Sequence, residues 1–357
     1  MKIVIFGLTT GYRQDADHTL RWRALIQALA IRGHRVIAVE RAGPGAATVP
    51  AWTIPGGERL IYDDWKDVAV DAAVHADDAG VALAVAHGPD AVAAAGLVRE
   101  SRAARRVLYD PDAAASIASL QAGEPPAHLP GDGLGGFDLV LASGGGSALE
   151  LFREKAGAIG VAPLYPWIVP EAHKPGTSQR AYLGDLVCLA PEAGAMRDGL
   201  ERFFLEPAQR LGRRRFVLAG SDLPDVAAAT SNILALPDLD PAENADLLAS
   251  STLTLALSHD DERRIGWFPS VQLLEAAACG AAIVSDRWEG LESFFEPGRE
   301  ILVASQADDV TTAMMLPRNH LADLGQRARK RVLAEHSAER RVQELRGILD
   351  LKGGGDD

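Results

Sequence analysis

Glu275 lies inside the otherwise apolar segment VQLLEAAAC (271–279), with Pro269 and Ser270 before it and Gly280 after it. Pro and Ser begin helices and Gly ends them, so the spacing predicts a helix from about Ser270 to Cys279. A helix N-terminus offers unsatisfied N–H groups and the positive end of a dipole, which suits a pyrophosphate. A carboxylate about one turn further in can accept hydrogen bonds from both hydroxyls of a ribose, as the acidic residue of dinucleotide folds does. A solvated helix position is the plainer account of Glu275, but its apolar neighbours and the buried strand predicted after it argue against an exposed face. Ser270 fits a simple N-cap equally well. Arg263 and Arg264 precede the helix and can hold a diphosphate in a bidentate grip. Arg202, on the first helix of the second half, is a further donor-side candidate, although taken alone it reads better as a surface arginine.

Other residues carry weaker signals. His18 follows the first predicted strand, where a neutral imidazole could take a proton from an acceptor hydroxyl near pH 7; a loop histidine beside a helix start is the competing account. Asp110–Pro111–Asp112 has an Asp-x-Asp pattern of the kind that can hold a metal together with a diphosphate, but such triplets are common, and Asp238–Leu239–Asp240 also matches. Asp110 is better read as a strand-end polar residue. HDDE (259–262) suggests a metal cluster by composition only, and a solvated loop is the better account. SGGGS (143–147) reads as a tight strand-to-helix turn and lacks the lysine of a P-loop. No metal site and no resident cofactor is expected.

The elements that must position these groups alternate. KIVIF (2–6), a polar loop from Thr9 to Asp17, the helical LRWRALIQALAIRG and the strand VIAVE ending at Glu40 make a β–loop–α–β opening. Strands are predicted at 81–85, 106–109 and 137–142. YPWIVPEAHKPGTSQ (165–179) holds three prolines and breaks the pattern. Alternation then restarts with DLVCLA, a helix from about Arg197 to Leu211, RFVLAG, NILAL, a helix near PAENADLLA, TLTLAL, the Glu275 helix, AAIVSD and EILVA. A long charged helical region, LADLGQRARKRVLAEHSAERRVQELRGILD, and a frayed GGGDD tail end the chain. The predicted plan is α/β with two Rossmann-like doubly wound domains facing a central cleft. One spans 1–172 and the other, which carries the Glu275 helix and binds the nucleotide, spans 182–335, with a hinge at 173–181 and a final helix and tail at 336–357.

The chain has 357 residues, 47% hydrophobic and 24% charged, with a formal charge of −13. Two domains fit that length. An acidic chain lacks the basic face that nucleic acid requires, so a phosphate site must be local. The two cysteines, Cys188 and Cys279, form no disulfide framework. MKIVIFGL is not a signal peptide and no apolar run reaches membrane-spanning length, so a cytoplasmic protein is expected.

The block PSVQLLEAAACGAAIVSDRWEGLESFFEPGREILVA resembles the C-terminal signature of the GT-B glycosyltransferases, in the group 1 branch that includes the spore-maturation CgeB-like proteins. GLTTGYRQDADHTLRWRALIQALAIRGH resembles that branch's Gly–Leu opening, with His18 and Arg23 in matching places. VLYDPDAAASIASLQAGE, FDLVLASGGGSALELF and PLYPWIVPEAHKP resemble further family segments. The resemblance implies a metal-independent transferase, of the retaining type, that moves a hexosyl or related group from a nucleotide-diphosphate sugar to an acceptor small molecule, glycan or protein. It implies that Glu275 holds the donor ribose and that Ser270 meets the diphosphate. Gly184 would start a donor-side loop, and His18, Asp110 and Asp112 would line the acceptor side. Trp267 stands where many retaining relatives carry a second glutamate, eight residues before the ribose glutamate. Ala113–Ala115 replace a usual Thr–Pro–Val. A nucleotide-sugar enzyme of another class, such as an epimerase, and a non-catalytic binding protein are the alternatives.

Overall fold

The computed structural model describes residues 1–12, 15–46, 52–225, 230–237 and 239–349. Asp238 of the second Asp-x-Asp triplet and the GGGDD tail lie outside them. The chain divides into two units, Met1–Tyr165 with Ala338–Asp357, and Pro166–Ser337.

The first unit runs β1 (Lys2–Thr10), α1 (Ala16–Ile31), β2 (Arg35–Ala42), β3 (Glu58–Tyr62), α2 (Trp65–Asp77), β4 (Val81–Val85), α3 (Ala91–Glu100), β5 (Arg106–Asp110), α4 (Ala113–Ala122), β6 (Leu139–Ala142), α5 (Glu150–Ala156) and β7 (Val161–Pro163). Its strands pair in parallel in the order β3-β2-β1-β4-β5-β6-β7. The strands are apolar because helices cover both faces: β4 is buried at all five positions. Strand order reverses between β1 and β4, the place where such sheets open a crevice at their C-terminal edge.

The second unit runs β8 (Gly184–Glu192), α6 (Arg197–Leu200), a π-helical turn (Glu201–Leu205), α7 (Glu206–Arg210), β9 (Phe216–Ser221), β10 (Ile233–Leu236), α8 (Asn244–Ala249), β11 (Ser251–Ala256), α9 (Asp260–Ile265), α10 (Val271–Ala278), β12 (Ile283–Asp286), β13 (Leu302–Ala304), α11 (Ala307–Ala313) and α12 (Arg318–Glu335). The parallel order is β10-β9-β8-β11-β12-β13, reversing between β8 and β11. Phe203, Phe204 and Phe216 anchor a core against the faces of β8, β9 and β11. Two Rossmann-like parallel-sheet α/β units are therefore present, as the alternation predicts.

Two details differ from the sequence reading. Residues 173–181 belong to the second unit: Thr177 and Gln179 donate backbone N–H groups to Asp246 and Ser250, and the division falls at Tyr165–Pro166. Prolines there signal an extended chain, which can be as firmly bonded as any other. The final helical region is broken at His336–Ser337, where Ile168 N–H donates to the His336 carbonyl. The last helix, α13 (Ala338–Leu349), returns to the first unit with Val342, Leu345 and Arg341 buried.

Gly7 sets the course of β1. Its φ is +76°, the β1–β2 register shifts between Ile5 and Leu8, and a Cβ there would sit 2.1 Å from the Val85 carbonyl oxygen. This bulge re-aims Leu8–Thr10, which carry the unit's polar edge. Gly7→Ala is expected to destabilise the chain by roughly 2–4 kcal/mol, because strain and a backbone clash add. Urea unfolding checks this; an unchanged midpoint would remove the bulge from the account.

Candidate functional site

In each unit the polar groups gather at the C-terminal edge of the sheet, where the parallel strands hand over to helices. The first unit's edge holds two histidine–aspartate pairs. After β1, Asp15 accepts from the Thr9 hydroxyl at 2.9 Å and lies 3.4 Å from His87 Nε2, an ion-pair distance. His87 follows β4, so the pair spans the switch point. The His87 contact, with help from Thr9, holds the Asp15 carboxyl below its ordinary range. The His18 and His87 rings face each other at 4.2 Å, tilted by 34°. Burial, reinforced by the charges of His87 and Arg21, pushes the His18 pKa well down.

The His18 tautomer follows from its neighbour. Trp22 Nε1–H donates to His18 Nε2 at 3.0 Å, and an indole N–H can only donate. Nε2 is then the acceptor nitrogen, and the remaining proton sits on Nδ1, which is buried without a partner. His18 in this arrangement offers a donor, not the free basic nitrogen anticipated from its place after β1.

Asp110 ends β5 and is fully buried. Its Oδ1 accepts from the Asp112 N–H at 3.0 Å and lies 3.1 Å from His128 Nε2, while Oδ2 has no partner. The Asp110 carboxylate raises the His128 pKa. Ser116 Oγ completes the group, 3.1 Å from the same nitrogen. Asp112 stands at the N-cap of α4 without a side-chain capping bond. Neither His87 nor His128 was anticipated; their partners lie 72 and 18 positions away, taking 87 − 15 and 128 − 110. No local motif marks such pairs.

The second unit's edge is built around α10. Ser270 is its N-cap, accepting from Leu273 N–H at 3.3 Å. Glu275, 9% exposed, lies with Oε1 3.6 Å from His173 Nε2. His173 Nδ1 accepts from Val169 N–H, which leaves the ring proton on the Nε2 that faces the carboxylate. The segment 166–177 thus supports the glutamate from within the same unit. Trp267 has φ +63°, a conformation L-residues rarely adopt, and is held by its N–H to the Glu289 carbonyl at 2.6 Å and its indole N–H to Glu289 Oε1 at 3.3 Å. Strain kept in this way concentrates at functional sites.

Three anticipated donor residues fall elsewhere. Gly184 is the first residue of β8 and packs on Val217, at the N-terminal edge, about 26 Å along the strand from the polar edge. At the polar edge, just after β8, stands Gly194. Arg202, on the π turn, is exposed and lies over the Phe203 ring; Arg197, with Glu201 and Asp222, lines a cavity beside that turn. Arg264 is 64% exposed and pairs with Asp261, whereas Arg263 is 23% exposed and pairs with Asp260 and Asp198. HDDE is a helix start: His259 and Glu262 form the reciprocal cap of α9.

Asp286, at the end of β12, is a further buried acid. Its Oδ1 accepts from the Ser258 N–H at 3.1 Å and hydroxyl at 3.2 Å, while Oδ2 has no partner. Burial pushes its pKa up to about 6. Nothing in the sequence distinguished it from the turn that follows.

Residues 197–347 match a family model described as glycosyl transferase-like. No curated protein sequence is significantly similar. Among solved structures, the chain resembles sucrose-phosphate synthase from Thermosynechococcus elongatus (13% identity, TM-score 0.66, 98% of each chain). It also resembles HepE from Anabaena in complex with UDP-glucose (15%, 0.63, 98% of this chain and 99% of that one). A third is an alpha-glucosyltransferase in complex with UDP-glucose and DNA containing an abasic site (13%, 0.65, 98% and 100%). The paired Rossmann-like units have the GT-B fold of these structures. No helix among the described residues is long and apolar enough to cross a membrane.

Asp286 gives a pH prediction. A carboxyl whose folded pKa is raised binds more protons folded than unfolded between pH 3.8 and about 6, so its contribution to stability falls as pH rises through that window. The stability of the parent relative to Asp286→Asn is expected to drop by on the order of 2–3 kcal/mol from pH 4 to pH 7. Denaturation at both pH values measures it; a pH-independent difference would contradict the burial argument.

Proposed function

We propose that the chain is a GT-B glycosyltransferase that moves a sugar from a nucleotide-diphosphate sugar to an acceptor. The observation that carries the reading is the buried Glu275 carboxylate on the capped helix α10, inside the region that matches the glycosyl transferase-like family. The ribose hydroxyls donate to Glu275. The diphosphate lies at the N-terminus of α10, whose dipole, with Arg263 and Arg197, offsets the charge that develops on the leaving group. That stabilisation is supplied by fixed dipoles and guanidinium groups, so the reading needs no metal.

UDP-glucose, bound in two of the structural relatives, is the first donor to try. The acceptor belongs to the first unit's edge. There the Asp110–His128 and Asp15–His87 pairs supply proton acceptors, Asp112 stands at the start of α4, and His18 supplies a hydrogen-bond donor. Placement in the CgeB-like branch and retention of configuration are part of the proposal. The anomer of the product, read by NMR, decides the latter.

Calorimetry with uridine, guanosine, adenosine and thymidine diphosphates tests the donor site. One is expected to bind, and Glu275→Gln is expected to weaken it by roughly tenfold or more, since hydrogen bonds to a charged group are lost. The variant should also stop distinguishing the ribonucleotide from its 2′-deoxy form. If no diphosphate binds, or if Glu275→Gln binds unchanged, the proposal fails.

A further inference from the structure

Under α1, beside the C-terminal ends of β1 and β2, lies a cavity of about 10 Å³, lined by Thr9, His18, Trp22, Arg23, Glu40 and Trp52 among others. That is room for about one water or one oxygen atom. Three lining residues each carry a buried polar atom with no hydrogen-bond partner: His18 Nδ1, Arg23 Nε and Trp52 Nε1. All three are donors. Arg23 Nε–H and the indole N–H can be nothing else, and the Trp22 bond to His18 Nε2 puts the imidazole proton on Nδ1.

The other polar groups are already committed. Glu40, 1% exposed, accepts from Arg59 on both oxygens, at 2.8 and 2.7 Å. Thr9 and Thr19 donate to Asp15 and to the Thr9 carbonyl. Arg23 spends one amino group on the Thr10 hydroxyl. Glu40 and Arg59 cancel, which leaves the Arg23 charge in excess. The guanidinium groups of Arg23 and Arg59 lie 5.2 and 4.8 Å from the Trp52 ring centroid, fixing the indole between them. A chain of net charge −13 has here built a small cationic recess rich in unpartnered donors, with both oxygens of its one lining carboxylate engaged by Arg59.

We infer that this recess binds one oxygen of an anionic group, a carboxylate or a phosphate. Such an oxygen accepts from the unpartnered N–H groups of the lining and brings no proton of its own, and its charge offsets that of Arg23. The recess lies beside the sheet edge given to the acceptor. On the glycosyltransferase reading, which this extension rests on, it anchors an acceptor that carries an acid group.

The binding itself is tested apart from catalysis. Titrations of the full chain with sodium phosphate and with sodium acetate, followed by calorimetry at constant ionic strength, ask which anion enters. At least one is expected to bind, and Trp52→Phe, which keeps an aromatic ring beside the guanidinium groups but removes the N–H, is expected to weaken it by roughly tenfold while the chain still unfolds cooperatively. Arg23→Gln should abolish it. Absence of binding by either anion, or equal binding by the parent and both variants, overturns the inference and leaves the recess a hydration site. Should uridine diphosphate fail to bind while phosphate or acetate binds, the transferase reading falls and the anion site stands.

Discussion

The strands of both units pair in parallel, and that constraint decides where chemistry can be done. A parallel strand covered by helices on both faces has no solvated side, so its residues must be apolar along its length. Polar groups are then driven to the ends. Every strand enters at one edge and leaves at the other, so the C-terminal edge collects the loops that follow β1, β4 and β5 in one unit and β8, β11 and β12 in the other. Asp110 and Asp286 illustrate the result. Each is the last residue of a strand, almost fully buried, with one oxygen bonded to local N–H groups and the other without a partner. A carboxylate held in that way is costly to stability, and its retention at the edge of an otherwise apolar sheet is what marks the edge as the working surface.

How much of this could be read in advance depended on how local the information was. VALAV was placed at 81–85, the bounds of β4, because five apolar residues between polar turns admit little else. The α10 helix was equally legible: its cap, apolar face and stop all lie within a dozen residues. β3 and β7 were not foreseen, since ERLIY alternates poorly and VAP is only three residues long; both are edge strands defined by their neighbour. Gly184 was misplaced for a related reason. A resemblance in order along the chain does not say at which end of a nine-residue strand the residue falls.

The site was legible where one element carries it and illegible where two must meet. Glu275 and Ser270 share a helix, and their relation follows from helix geometry. The His173 imidazole that faces Glu275 comes from the proline-rich segment, and only the fold of 166–177 against the second unit brings it there. The choice between neighbouring arginines was similar. Arg263 and Arg264 are adjacent in sequence and point about 100° apart on a helix, so one is half-buried among acids and the other faces water.

Charge explains why these few cations matter. The chain carries 49 acidic and 36 basic side chains, and its distant field repels a nucleotide diphosphate. That field is screened beyond about 8 Å at physiological salt, so attraction has to come from groups in contact with the ligand. Most arginines are unsuited to this, being spent on exposed pairs such as Arg153–Glu150 or Arg299–Glu296. Two are more buried, on helices near the strand ends: Arg263 on α9, just before α10, with Asp260 and Asp198, and Arg23 on α1, against Trp52. On the proposed reading, recognition of an anion by this acidic protein is short-range and geometric, set by fixed N–H groups that the sheet edges hold in place before any ligand arrives.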